Sequence, residues 1–307
     1  FISPHKFLGG PGASGVLVFN ERLYHSELPP SVSGGGTVDY VGPLDQDFIA
    51  DIEEREKAGT PGVLQTLKAA LAFEVKDAVG VEAIEAREHE LLTRAAESWA
   101  TNRRIEVLGN PDMRRRVGIV SFNLRGTNGR YLHPKLTTAL LNDLFGIQSR
   151  AGCSCAGPYG HRLLGIDTKT SDQYRAWVRK GYQGIKPGWC RVGFHYVMDD
   201  TEAQFIIDAV NFLGSYGHRF VPMYNFDLHT GMWRHKEDPD AHEAFSLGAA
   251  LDAVAGQRSA LSEDCRARLY RSYMQDALSL AEELGEPEAE GEAPLSGQLG
   301  ELQFFVA

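Results

Sequence analysis

The chain has 307 residues, 43% of them hydrophobic, with 41 acidic against 31 basic side chains and a formal net charge of −10. That length holds one or two domains with a real core; no apolar run approaches the roughly 20 residues of a spanning helix, and the acidic balance argues against generic nucleic-acid binding, which needs clustered Lys and Arg. Four cysteines, at positions 153, 155, 190 and 265, make no disulfide framework, and Cys153-x-Cys155 lacks the second pair or spaced histidines that would complete a zinc site, so no metal and reduced, intracellular thiols are expected.

The chain opens on Phe1-Ile2-Ser3-Pro4-His5-Lys6-Phe7-Leu8-Gly9-Gly10-Pro11-Gly12, followed after Gly15 by the apolar run Val16-Leu17-Val18-Phe19, which predicts a buried strand end. A hydroxyl and an imidazole can donate to a phosphate, an amine can condense with an aldehyde, and glycines let backbone approach a bound group closely. Alone, the motif specifies an anion or aldehyde site, or simply a loop-to-strand turn with a solvated lysine. Residues 34–40 read as a glycine loop entering an extended segment. Thr60 is the expected cap of a helix with Pro61 in its first turn, and Leu64, Leu67, Leu71 and Val75 repeat at helical spacing until Gly80. From Val81 a second amphipathic helix carries Ile84, Leu91, Ala95 and Trp99 on one side. The two helices are expected to link a large domain to a small one.

Downstream, 105–108, 117–124, 147–149 and 190–196 predict strands. Arg114-Arg115-Arg116 before the second of these reads as a solvated loop. His133-Pro134 opens a helix through Phe145 that Gly146 ends, and Thr201-x-x-Gln204 reads as a capping box for a helix to about Gly214. Strands alternating with helices and closed by a helix predict a compact α+β domain. Residues 220–235 are aromatic and turn-rich, an expected ordered strap; 242–284 carry helical patterns; 282–292 are a Glu/Pro/Gly/Ala linker; and 299–306 regain strand character. The expected division is 1–80, 81–235 and an acidic, helical extension at 236–307. His161, His195 and His218 lack metal spacing and read as structural histidines.

Ser3-x-His5-Lys6-x-x-Gly-Gly-Pro-Gly-x-x-Gly resembles the lysine motif of class V aminotransferases, the pyridoxal-phosphate (PLP) superfamily that includes cysteine desulfurases and selenocysteine lyases. Arg150-Ala151-Gly152-Cys153-Ser154-Cys155-Ala156 is similar to the segment carrying the nucleophilic cysteine of the desulfurases, with Cys153 where many of them have a histidine. The resemblance covers roughly residues 1–216. It implies an α/β PLP-dependent transferase fold, here a partial large domain, followed by the α+β small domain. It also implies that family residues ahead of the lysine, a ring-stacking histidine and a pyridinium aspartate, precede Phe1, so that this piece alone is expected to be inactive.

The same resemblance assigns roles. Lys6 is the expected Schiff-base lysine and mover of the Cα proton, a task that suits an amine whose pKa falls readily on burial. Ser3 and His5 hold the phosphate, and Thr60 reaches the phosphate of a neighbouring subunit's PLP, which implies a homodimer with shared active sites. Cys155 is the expected nucleophile that takes sulfur as a persulfide, in competition with a buried structural cysteine. Arg191, in Arg191-x-Gly193-Phe194-His195-Tyr196, is the expected clamp on the amino-acid carboxylate, with Arg150 second; a surface ion pair and support of the cysteine loop are their structural alternatives. The expected substrate is a small amino acid and a further partner is a sulfur-acceptor protein, with neither nucleic acid nor membrane, in the cytoplasm. Two alternatives stay open: another class V aminotransferase or lyase reaction, and a non-catalytic protein that binds a partner through the acidic linker and aromatic strap.

Overall fold

The computed structural model describes residues 1–126, 129–153, 156–237, 246–255, 261–287, 295 and 297–306. The chain divides into two compact units, Phe1–Ile84 and Glu85–Ala307.

In the first unit, Pro4–Lys6 forms a single 3-10 turn, started by a proline that has no N–H to leave unpaired. The chain then doubles back so that Ile2 and Val16 bridge, and Gly10 sits where any Cβ would collide with the Pro4 carbonyl. The hairpin β1 (Val38–Val41) and β2 (Gln46–Phe48) follows, then the short α1 (Ile52–Arg55), capped by Asp51 accepting from the Glu54 N–H at 2.9 Å. Arg55 is buried, its guanidinium 5.3 Å from the Phe48 ring centroid and donating to the Leu28 carbonyl. Helix α2 (Val63–Val79) packs against the first turn, with Phe7 edge-on to Phe73 at 5.2 Å and Ser14 N–H donating to the Gln65 carbonyl at 3.2 Å.

Two expectations fail here. The cap of α2 is Gly62, not Thr60, and it makes no side-chain cap hydrogen bond; the Pro61-Gly62 pair moves the helix start two residues on and strands Thr60 in the preceding loop. The run at 16–19 forms no strand beyond the Val16 bridge, and Leu17, Val18 and Phe19 are exposed. The helical spacing of Leu64, Leu67 and Leu71 is real, yet these side chains are 77%, 56% and 65% exposed, and the buried residues of α2 are Ala69 and Ala72.

The boundary between the units falls inside α3 (Val81–Ala100), which Gly80 at φ +85° separates from α2. The second unit is built on an antiparallel sheet of β3 (Ile105–Val107), β4 (Ile119–Leu124), β6 (Arg150–Gly152) and β7 (Trp189–Gly193), in the order β3-β4-β7-β6. Val120, Phe122, Cys190 and Val192 join a continuous core with Leu91 and Trp99 of α3, Leu136 and Leu140 of α4 (Pro134–Phe145), and Ile207 and Val210 of α7 (Asp200–Tyr216). Between the first strands and α4 lies the two-residue β5 (Tyr131–Leu132). Helix α4 has the ends that its sequence specifies: the His133 ring accepts from the Lys135 N–H at 3.1 Å, Pro134 is first, and Gly146 ends it at φ +65°. Helices α5 (Gly157–Leu163) and α6 (Thr168–Arg179) connect β6 to β7.

The expected strand at 147–149 lies later, at β6, and α7 is capped by Asp199 and not by Thr201. Asp199-x-x-Glu202 is itself a capping pattern two residues upstream, and its carboxylate accepts from the Glu202 N–H at 2.8 Å. The aromatic strap becomes a 3-10 segment and the hairpin β8 (Tyr224–Asp227) and β9 (Met232–His235), which buries Phe220, Tyr224 and Trp233 in the core. After α8 (Leu247–Ala255), α9 (Glu263–Leu284) buries Ala277 and Ala281 in that core and stacks Tyr270 on Phe205 at 4.0 Å. Residues 299–306 are mostly not strand: α10 (Gly297–Leu302) precedes β10 (Phe305–Val306), which pairs in parallel with β5. Helix α9 and β10 thus contribute to the second unit's core, while Leu247 and Leu251 of α8 are exposed.

Candidate active site

The first unit gathers three of the expected residues on one turn. Ser3 precedes the 3-10 turn and His5 and Lys6 lie within it, with the Lys6 N–H donating to the Ser3 carbonyl at 3.0 Å. His5 and Lys6 are exposed and Ser3 half-buried. Pro4 is the buried residue of the turn, so the backbone is anchored through its proline while the polar side chains remain presented. A hydroxyl, an imidazole and an amine on four consecutive residues, with no carboxylate paired to them among the described residues, form a donor set suited to a phosphate and an aldehyde. Thr60 is exposed in the loop ahead of α2.

The second unit presents the arginines on one face of its sheet. Arg191 on β7 is the register partner of Arg150 on β6 and of Ser121 on β4. Residues directly opposite across antiparallel strands share a face, so the three project to the side opposite Phe122 and Cys190. Arg191 is half-buried, and among the described residues its guanidinium has no hydrogen-bond or ion-pair partner. A planar, half-desolvated guanidinium of this kind can take a carboxylate through two parallel hydrogen bonds.

The two expected pieces therefore lie on separate units: Ser3, His5, Lys6 and Thr60 on one, Arg150 and Arg191 on the other. Cys155 lies outside the described residues. Its neighbour Cys153 is exposed after β6, while Cys190 is buried, with burial pushing its thiol up to about 12. Cys190 consequently stays a protonated core thiol.

One feature that sequence reasoning missed adjoins the β6–α5 loop. A cavity of about 590 Å³ is walled by the start of α4, the Gly152-Cys153 end of β6, α5, α6 and the segment before β7. Gly188 makes its floor possible, because a Cβ there would lie 2.8 Å from the Gly152 Cα. Its polar lining comes from six separate chain segments, so no local motif announced it. His133, beside it, is buried and its imidazole is lowered to about 4 by desolvation.

Comparison with known proteins gives a consistent result. A family model described as Aminotransferase class-V matches residues 1–205. A probable cysteine desulfurase of Staphylococcus aureus is 36% identical over 158 residues, covering 51% of this chain and 36% of the relative. One from Staphylococcus epidermidis is 35% identical over 180 residues, covering 58% and 41%. The chain thus spans well under half the length of the curated relatives it matches. Among solved structures, the apo cysteine desulfurase of Thermococcus onnurineus NA1 aligns with a TM-score of 0.48 at 26% identity, covering 61% of this chain and 39% of that one.

Proposed function

The chain belongs to the aminotransferase class-V family, whose members are PLP-dependent and whose fold class is the one expected above, and from that premise we propose that its protein is a cysteine desulfurase. The observation that carries the reading is the presence, in one chain, of the Ser3–His5–Lys6 turn, with His5 and Lys6 exposed, and of Arg191, whose guanidinium has no partner among the described residues, on the strand paired with the one that leads into the cysteine-bearing loop. Similarity to the staphylococcal proteins supports the choice of desulfuration over other family reactions.

PLP, when bound, supplies an electron sink for a bond at the substrate's Cα. Ser3 and His5 would hold its phosphate and Lys6 Nζ its aldehyde end, and Lys6 would then move the proton at the substrate Cα. Arg191 binds the substrate carboxylate, with Arg150 beside it, which fixes the amino acid's orientation. Cys155 attacks the substrate sulfur and retains it as a persulfide, leaving alanine. The proposal includes a cytoplasmic homodimer in which Thr60 serves the neighbouring subunit's phosphate; the exposure of Thr60 supports this. A protein that receives the sulfur is part of it as well.

The test uses the full-length protein supplied with PLP, cysteine and a dithiol reductant that releases persulfide sulfur as sulfide. Equal release of alanine and sulfide, abolished by Cys155→Ala, is expected. Turnover that survives Cys155→Ala and requires a keto acid would replace desulfuration with transamination.

A further inference from the structure

The cavity of the second unit has a charge pattern at odds with the rest of the chain. The sequence carries 41 acidic against 31 basic side chains, yet no Asp or Glu lines this cavity, while Lys135, Arg175 and Lys186 all do. The three stand on α4, on α6 and in the segment before β7, so the cysteine-bearing loop supplies none of them. Neither Arg150 nor Arg191 is among the lining residues. Like charges converging on a concavity without a counter-ion raise the local potential and favour an anion there. Helix α4 begins at the cavity, with His133 and Pro134 in its wall, and adds the positive end of its dipole.

One of the three cations is built into the wall. Lys135 Nζ donates to the Thr230 carbonyl at 2.9 Å, and Gly231 leaves room for it, since a Cβ there would lie 3.1 Å from that Nζ and 3.0 Å from the Gly184 Cα. Burial, and then the charge of Lys186, keep the Lys135 ammonium below the ordinary lysine range. Other polar groups of the wall are also tied in place. The His161 ring is engaged with the Gly157 carbonyl at 2.7 Å and the Ser171 hydroxyl at 2.8 Å, and the Tyr174 hydroxyl donates to the Leu302 carbonyl at 3.0 Å. By contrast, the Arg175 and Lys186 side chains are exposed and have no hydrogen-bond or ion-pair partner among the described residues. A fixed wall with two uncommitted cations is organised to bind before its ligand arrives.

We propose that this cavity binds a small organic dicarboxylate, held at its two ends by Arg175 and Lys186. The Arg175 guanidinium takes one carboxylate through two parallel hydrogen bonds, the Lys186 ammonium takes the other, and Lys135 adds a fixed third charge. Leu164, Ile166 and Val178 also line the cavity and cover the carbon chain between the carboxylates, which favours an organic acid over a bare inorganic anion. A volume of about 590 Å³ suits a ligand of this kind. Arg175, Lys186 and Lys135 have no part in the desulfurase reading, so the site and that reading stand or fall separately.

The full-length protein is titrated by calorimetry at constant ionic strength with succinate, glutarate and adipate, and with butyrate and inorganic phosphate to probe a single carboxylate and charge alone. One of the dicarboxylates is expected to bind saturably at one site per chain, with butyrate and phosphate at least about tenfold weaker. Arg175→Gln and Lys186→Gln are each expected to weaken that dicarboxylate about tenfold and, as changes to exposed side chains, to leave the melting temperature unchanged. Arg175→Lys, which keeps the charge and loses the planar fork, should recover part of the affinity. Arg191→Gln, which removes the proposed substrate clamp, is expected to leave dicarboxylate affinity as it was. The proposal is overturned by an absence of saturable dicarboxylate binding, by phosphate binding equally well, by unchanged affinity in the Arg175→Gln and Lys186→Gln variants, or by loss of binding in Arg191→Gln.

Discussion

The first turn of the chain and the four-stranded sheet present reactive groups by opposite physical means. At Ser3, His5 and Lys6 the constraint is local: a buried Pro4, a glycine that no other residue could replace without a clash, and three polar side chains within four positions. At Arg150 and Arg191 the constraint is global, since their shared face follows from a strand register that the packed core holds in place. The first arrangement tolerates a surrounding unit that exposes most of its leucines; the second depends on side chains that are wholly buried. Chemistry in the turn should therefore be sensitive to a few atoms nearby, and chemistry on the sheet to packing at a distance.

This contrast is broken or sharpened by a graded set of measurements. The largest effect belongs to Lys6→Ala, which in the PLP-loaded full-length protein is expected to reduce turnover by about a thousandfold or more while leaving the melting temperature unchanged, because the side chain is exposed and has no ion-pair partner among the described residues. Next, Phe122→Ala should cost about 3–5 kcal/mol in denaturant unfolding, as removal of a fully buried ring does. Leu67→Ala on exposed α2 should stay within about 0.5 kcal/mol, and a similar loss at both sites would erase the contrast.

His133 supplies an intermediate effect with a defined sign. Its folded value of about 4 lies below the ordinary 6.5, so the unfolded chain binds the extra proton between those values. Stability is full above about pH 6.5 and falls as pH drops toward 4, by up to about 3 kcal/mol. Unfolding curves collected from pH 7 to 4 should show this slope, and His133→Gln should flatten it. Below that, and above Leu67→Ala, comes Asp199→Ala, which removes both the α7 cap and the ion pair with Arg266, for about 1–2 kcal/mol by the same assay.

The same distinction explains what could be read from the sequence. The Lys6 motif and the ends of α4 are legible because their information sits within a dozen residues: Pro134 can only begin a helix and Gly146 supplies the left-handed close. Thr60 and Thr201 misled because each sits two residues from the true cap, and helix starts are decided by which of several nearby oxygens or glycines the backbone can use. The pairing of Arg150 with Arg191, 41 positions apart, has no local signature. Nor does the cavity of Lys135, Arg175 and Lys186, whose cations meet only after α4, α6 and the loop before β7 have packed. The exposure of Leu64, Leu67 and Leu71 shows that periodicity reports a helix without reporting what covers it.

The pairing of β10 with β5 also bears on the order of events during synthesis. Phe305 packs edge-on against His133, 4.6 Å between ring centroids, and Gln303 donates to the Phe305 carbonyl at 3.0 Å. Those contacts close over residues translated some 170 positions earlier. At roughly 5–20 residues per second, the site around His133 waits on the order of 10–30 s at the ribosome for its last aromatic neighbour. Until then the imidazole lacks that neighbour, and the buried environment that lowers its basicity is complete only once Phe305 has been added.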